Sequence, residues 1–387
     1  MRVFILAGEP SGDRLGGALM AGLRHLVPEV GFEGVGGTEM AAQGLESLFP
    51  MEELSVMGLA EILPKYAHLK RRIRQTAEAA LTAQPDVMIT IDSPDFSLRV
   101  AKLVKARSEI RTVHYVAPTV WAWRPGRAQK MARVIDQVLA LFPFEPPYME
   151  AAGMRSDFVG HPVVAEPEPT QADATRFRDA YDLGKRPILL VLPGSRRGEV
   201  GRLAQPFGAA LRLFLRNGPD WQVVIPAAGP VADLVKDVTQ DWPGAPIILD
   251  PREEQPEQAA MSKRGAFAAA NLALAASGTV SLELAAARTP MVIAYRFNTL
   301  TWILIKRMMR IDTVTLVNLV SSSRVVPECL GPDCRGDLIA KTLQRTYDDP
   351  GTQERAMALT MERLGQGGEP PGLRAARAVL DGLQAST

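Results

Sequence analysis

The chain has 387 residues, is 47% hydrophobic and 22% charged, and carries a formal net charge of +1. This is ordinary globular composition, too long for one comfortable core, so two domains are expected, and the near-neutral charge lacks the positive field that nucleic-acid binding uses. No apolar run approaches the roughly 18 residues of a spanning helix, VFILA near the start is too short for a signal peptide, and Cys329 and Cys334, with no histidine nearby, support neither a zinc site nor a disulfide framework and read as reduced structural thiols.

From the N-terminus, short apolar runs alternate with helix-length amphipathic stretches: VFILAG, DRLGGALMAGLRHLV, GFEGVGG, LAEILPKYAHLKRRIRQTAEAALTA, DVMITI, FSLRVAKLVKAR, RTVHYV and QVLALF. Continuous rather than alternating apolar strands, separated by helices, indicate a parallel sheet covered on both faces. Between 161 and 186, Pro162, Pro167 and Pro169 interrupt secondary structure and mark the linker. The pattern then restarts with ILLVLPG, a helix over 199–217, WQVVIPA, a helix over 230–239, APIILD, the Ala-rich AFAAANLALAA, a helix from Thr279, and PMVIAY. Three helices close the chain, near 337–348, 351–364 and 370–384. The expected fold class is α/β, with two Rossmann-like doubly wound parallel-sheet domains facing a cleft. The domains are 1–165 and 166–366, and 367–387 form a terminal helix that caps the second domain or returns to the first. Ligands of such sheets bind beyond the carboxyl ends of the strands.

The loops at those ends carry the chemistry. In IDSPDF, Ser93 reads as an N-cap, Pro94 as the first helical residue and Asp95 as a first-turn acid, which explains Asp95 by structure. Asp92 precedes the cap and keeps two readings: a general base that takes a proton from an attacking hydroxyl, or a carboxylate satisfied by neighbouring backbone N–H groups. GEPSGDRLGG is a Gly-rich turn where backbone N–H groups and Ser11 can approach an anion or a sugar; it is neither GxGxxG nor GK[ST], and Gly12 and Asp13 read more simply as a tight strand-to-helix turn. LPGSRRGEV offers Ser195 and an arginine, Arg196 or Arg197, to phosphate or carboxylate. In ASGTVSLE the turn Ser277, Gly278 and Thr279 suits a diphosphate, and Glu283, four residues on, suits a ribose diol. YVAPTVWAWRPGR sets Trp121 and Trp123 beside Arg124 and Arg127, as sugar and phosphate contacts or as core packing, while His114 and His161 read as satisfied structural groups.

In this order GEPSGD, EELSVMG, IDSPDF, HYVAPTVWAWR, PFE, GHP, LPGSR and SGTVSLE, with Asn318 in LVNL, resemble the motifs of the lipid-A-disaccharide synthase family, inverting glycosyltransferases of the GT-B type, over almost the whole chain. Pro10 and Ala117 stand where Ala and Ser are usual, and HPVVAE lacks an Asp often found after the His. The resemblance implies transfer of 2,3-diacylglucosamine from its UDP ester to 2,3-diacylglucosamine 1-phosphate, giving a β-1,6-linked disaccharide 1-phosphate and UDP, with no metal and no cofactor. It implies Asp92 as general base, Ser195, Arg196, Ser277, Gly278, Thr279, Glu283 and Asn318 at the UDP-sugar, and Glu9, Ser11, Asp13, Trp123 and Arg124 at the acceptor. Both substrates carry acyl chains, so a cytoplasmic protein held peripherally on the inner face of the cytoplasmic membrane is expected. Basic amphipathic stretches at 59–74 and 301–311 suit an anionic surface, the second also a buried or homodimer contact. Two rivals stand beside this reading, a UDP-N-acetylglucosamine 2-epimerase and a non-catalytic nucleotide-sugar binder.

Overall fold

The computed structural model describes residues 1–54, 59–122, 126–297, 302, 307, 309 and 311–385. The chain divides into two compact units, Met1–Ala165 with Leu364–Thr387, and Glu166–Arg363.

In the first unit six parallel strands, β1 (Arg2–Ala7), β2 (Gly31–Val35), β3 (Val87–Ile91), β4 (Arg111–Tyr115), β5 (Gln137–Ala140) and β6 (Arg155–Phe158), lie in the order β2-β1-β3-β4-β5-β6. From Val3 to Ala7 and from Val87 to Ile91 every residue is buried, because helices cover both faces of the sheet. Those helices are α1 (Pro10–Leu26), α2 (Thr38–Ala42), α3 (Leu59–Ala83), α4 (Pro94–Lys105), α5 (Gly126–Met131) and α6 (Pro146–Glu150). Phe4, Leu6, Met88 and Val100 form one core cluster, and Val138, Ala140 and Met149 a second further along the same face of the sheet.

The second unit begins with α7 (Gln171–Ala180), fixed at its start by a capping box between Thr170 and Asp173. Its sheet orders β12 (Glu328–Leu330), β11 (Met291–Tyr295), β10 (Leu272–Ala275), β7 (Ile188–Leu192), β8 (Gln222–Pro226) and β9 (Ile247–Leu249), again all parallel. Around it lie α8 (Arg197–Phe214), α9 (Ala232–Thr239), α10 (Pro256–Ala269), α11 (Val280–Ala286), α12 (Leu316–Ser321), α13 (Gly336–Asp348) and α14 (Gly351–Arg363). The Ala-rich run AFAAANLALAA, expected as a strand before the SGT turn, is divided: its first residues end α10 and only LALA is strand. Alanine is the best helix former, and Pro256 at the first helical position opens a helix that no polar–apolar alternation announces. The short edge strands β6 and β12 also went unanticipated, since RSDF and ECL lack the continuous apolar run of a strand covered on both faces.

The last helix, α15 (Pro371–Gln384), belongs to the first unit and packs on α1. The two backbones touch: a Cβ on Gly22 would lie 2.6 Å from the Gly372 carbonyl oxygen, and one on Gly372 would lie 2.5 Å from that of Ala18. Arg374 donates to the Phe158 carbonyl at 2.9 Å and Gln137 Nε2 to that of Ala378 at 2.8 Å, tying α15 to the β5–β6 edge.

Candidate active site

Each sheet has one place where the chain reverses its direction of travel, and open α/β sheets bind ligands there. In the first unit this lies between β1 and β3, where the turns Gly8–Ser11 and Asp92–Pro94 leave neighbouring strands. The turns touch: a Cβ on Gly8 would sit 2.7 Å from Ser93 Oγ. Three non-glycine residues here adopt left-handed backbone, Asp92 (φ 49), Ser93 (φ 43) and, at the end of β4, Val116 (φ 84). Such conformations cost of order 1–3 kcal/mol each, least for Asp and most for a β-branched residue. They persist because the surroundings hold them. Asp92 N–H donates to the Tyr115 carbonyl at 3.0 Å, Ser97 Oγ donates to the Asp92 carbonyl at 2.8 Å, and Val116 N–H donates to the Leu139 carbonyl at 3.0 Å. The Asp92 carboxylate itself is half-buried and makes no hydrogen bond or ion pair among the described residues. Of its two readings, the backbone-satisfied one therefore has no partner here. Ser93 is the N-cap residue of α4, as read from the sequence, but its left-handed backbone leaves it without a capping hydrogen bond.

In the second unit the reversal lies between β7 and β10, and a cavity of about 830 Å³ opens there. Ser195, Arg196, Ser277, Gly278, Thr279 and Glu283 all line it. Gly194 enters the turn at φ 115, and Glu199 then bridges it, accepting from Ser195 N–H at 3.2 Å and pairing with Arg196 at 3.4 Å. Opposite, Gly278 (φ 153) precedes Thr279, the N-cap residue of α11, and Glu283 pairs with Lys263 of α10 at 2.5 Å. Pro226, Ala227, Pro251, Pro256 and Ala259 add small apolar surfaces to the cavity lining. The buried Asp250 lines it too, its carboxyl held well below the usual range by the Arg252 guanidinium and the Lys236 ammonium.

Other expected residues are placed elsewhere or spent. Asp13 is 3% exposed and caps α2, accepting from the N–H groups of Gly37 (2.7 Å), Glu39 (2.9 Å) and Met40 (3.1 Å), so its carboxylate is committed to structure rather than turned to an acceptor. Asn318 does not line the cavity: its amide donates to Val326 O and Thr313 Oγ1 and accepts from Val326 N–H, so both of its N–H groups are occupied. Glu9 is the N-cap residue of α1 and Ser11 is exposed in its first turn. Trp123 and Arg124 lie outside the described residues. Trp121 is core, its indole N–H donating to the buried Glu145 and its ring edge-on to Phe144 at 5.1 Å. Sequence reading missed Val116, Glu145 and Lys263; only Glu145, in the PFE motif, carried any signal. Among the described residues no cluster of metal-ligating side chains occurs and no helix is long and apolar enough to cross a membrane.

Three buried polar groups of the first unit fix a pH response. Burial lowers His114 and His161 to about 4 from an ordinary 6.5, so both are neutral in the fold; Thr90 Oγ1 lies 2.7 Å from His114 Nδ1, and Val163 N–H donates to His161 Nδ1. Their contribution, about 3 kcal/mol each, is complete above pH 6.5 and lost as pH falls towards 4, because the unfolded chain then takes protons the fold refuses. Burial pushes Glu145 up to about 7, which works in the opposite sense: its contribution is present at low pH and lost as pH rises through 7. In a proton NMR titration two of the four imidazoles should stay neutral down to pH 5; a midpoint near 6.5 for both would contradict this burial.

Two doubly wound parallel units, each with its strand reversal, make a fold of the GT-B type. The fold is similar to that of UDP-N-acetylglucosamine 2-epimerase from Neisseria meningitidis bound to UDP-GlcNAc, with a TM-score of 0.66 at 12% identity and 100% of both chains covered. It is also similar to sucrose-phosphate synthase from Thermosynechococcus elongatus, with a TM-score of 0.63 at 13% identity, again over 100% of both chains. Identity so low speaks for the fold alone, and the epimerase rival gains nothing further from it. Residues 3–370 match the lipid-A-disaccharide synthetase family. The chain is 70% identical over 383 residues to lipid-A-disaccharide synthase of Ruegeria pomeroyi, covering 99% of this chain and 96% of the relative. It is 48% identical over 385 residues to that of Rhodospirillum centenum, covering 98% and 94%. The chain belongs to the lipid-A-disaccharide synthase family and is a glycosyltransferase of lipid A biosynthesis.

Proposed function

We propose that the family's transfer proceeds here by direct inversion, with Asp92 as the base and the second unit's cavity as the donor site. The acceptor's 6-hydroxyl attacks the anomeric carbon of UDP-2,3-diacylglucosamine; the new C–O bond forms as the bond to the diphosphate breaks, the hydroxyl proton passes to Asp92, and UDP leaves. The leaving diphosphate is met by Arg196, by the N–H groups that open α8, and by the Ser277–Thr279 turn. Glu283 takes the ribose diol, and the Gly8–Ser11 turn, with Glu9 and Ser11, takes the acceptor. One observation carries the reading: at the strand reversal of the first sheet Asp92 has left-handed backbone, tied to the end of β4, and a carboxylate without a partner among the described residues.

The enzyme works at an anionic membrane surface, peripherally. His68 and Arg72 of α3 are occupied by Glu53, at 2.6 and 2.7 Å, but Lys70, Arg71 and Arg74 are exposed and supply the basic face. Most of the 301–311 stretch lies outside the described residues. The test is to incubate the protein with UDP-2,3-diacylglucosamine and 2,3-diacylglucosamine 1-phosphate on anionic vesicles. Disaccharide 1-phosphate and UDP should appear together, with enzyme released from the vesicles at high salt. UDP binding without product would leave only a nucleotide-sugar binder, and salt-resistant attachment would reject the electrostatic contact.

A further inference from the structure

The donor cavity is less cationic than its anionic ligand would suggest. Its lining holds two basic side chains, Arg196 and Lys263, against four acidic ones, Glu199, Asp250, Glu254 and Glu283, and both bases are already paired with acids. The two pairs differ in construction. Arg196 and Glu199 are neighbours within one turn, at 3.4 Å, and Arg196 is 65% exposed, so a diphosphate can draw the arginine away cheaply. Lys263 and Glu283 join two different helices at 2.5 Å. Lys263 follows Pro256, Ala259 and Ala260 along the cavity face of α10, at helical spacing. Its ammonium also lies 5.5 Å from the ring centre of the buried Phe267, one turn on. The lysine is thus located by its own helix, and its position sets that of the carboxylate.

We infer that Lys263 is a positioning residue for sugar recognition: by engaging one oxygen of Glu283 it turns the other towards the cavity, fixing the carboxylate to accept from the ribose diol and so setting the preference for ribo- over 2′-deoxyribonucleotides. The inference rests on reading the cavity as the UDP site and Glu283 as the ribose acceptor. As an exposed ion pair, Lys263–Glu283 adds little to stability, so its effect belongs in ligand discrimination rather than in folding. A carboxylate free to rotate would still attract a hydroxyl, but at a cost in ordering that the lysine removes beforehand.

The experiment measures dissociation constants of UDP and 2′-deoxy-UDP by calorimetry for the unaltered protein and for Glu283→Ala, Lys263→Met and Lys263→Arg. The methionine keeps an unbranched apolar side chain of similar length and removes the charge. The unaltered protein should prefer UDP by about tenfold or more, the worth of a hydrogen bond to a charged group. Glu283→Ala should abolish that preference, Lys263→Met should reduce it at least about threefold with melting temperature unchanged, and Lys263→Arg should restore it. If Glu283→Ala removes the preference and Lys263→Met leaves it intact, the role of Lys263 is wrong while the donor site stands. If the unaltered protein shows no preference, or Glu283→Ala retains it, the reading of Glu283 fails and the inference with it.

Discussion

Asp92→Asn should lower kcat by about 100-fold or more, equivalent to about 2.7 kcal/mol of transition-state stabilisation, while the dissociation constant for UDP stays within about twofold. The substitution keeps size and shape and removes the ability to take a proton. It should not disturb the fold, because the bonds that secure this turn involve the Asp92 main chain, through Tyr115 and Ser97, and not its carboxylate. Asparagine tolerates left-handed backbone as well as aspartate does, so φ 49 can be kept. Steady-state turnover with both acylated substrates, beside calorimetric UDP binding, separates the effects. A variant turning over at near-normal rate would reject Asp92 as the base, and a large loss of UDP affinity would show that the substitution acts through the fold.

The second large effect is expected from Gly194→Ala, which should weaken UDP binding by about 10- to 100-fold. Backbone at φ 115 is closed to residues with a side chain, and the added methyl would lie 2.7 Å from Glu199 Cβ, which belongs to the first turn of α8 and cannot retreat independently. The turn must therefore reshape, loosening the Glu199 bridge to Ser195 and Arg196 and misplacing the donors proposed for the diphosphate. The cost falls on binding, with turnover at saturating donor changing less. Calorimetry with UDP, beside circular dichroism to establish that the second unit remains folded, is the measurement. Unchanged affinity would mean that the LPGSR turn does not touch the diphosphate.

That Asp92, Gly194 and the SGT turn stand in loops at strand ends was legible in the sequence for one reason: each follows a continuous apolar strand, beside a Gly, Ser or Pro that ends it, and the signal sits within a few residues. The same local view misjudged AFAAANLALAA, because alanine satisfies a buried helix as readily as a buried strand. The local reading took Asp13 as part of a tight turn and the family resemblance took it to the acceptor; neither named the start of α2, 24 to 27 residues away, which claims that carboxylate. Asn318, taken to the UDP-sugar by the resemblance, is held by Thr313 and Val326, which the fold brings to it.

The sequence alone determined the alternation of strand and helix, the two-unit plan, and the loops at the strand ends, because apolar periodicity and turn chemistry act between neighbours. Only the tertiary structure decided which polar side chains remain available for chemistry. That Asp92 is left unpartnered, that Val116 is held at positive φ beside it, and that Lys263 meets Glu283 are outcomes of packing between elements far apart in the chain. A buried or half-buried polar group takes whichever partner the packed elements bring within reach, and no short stretch of sequence names that partner.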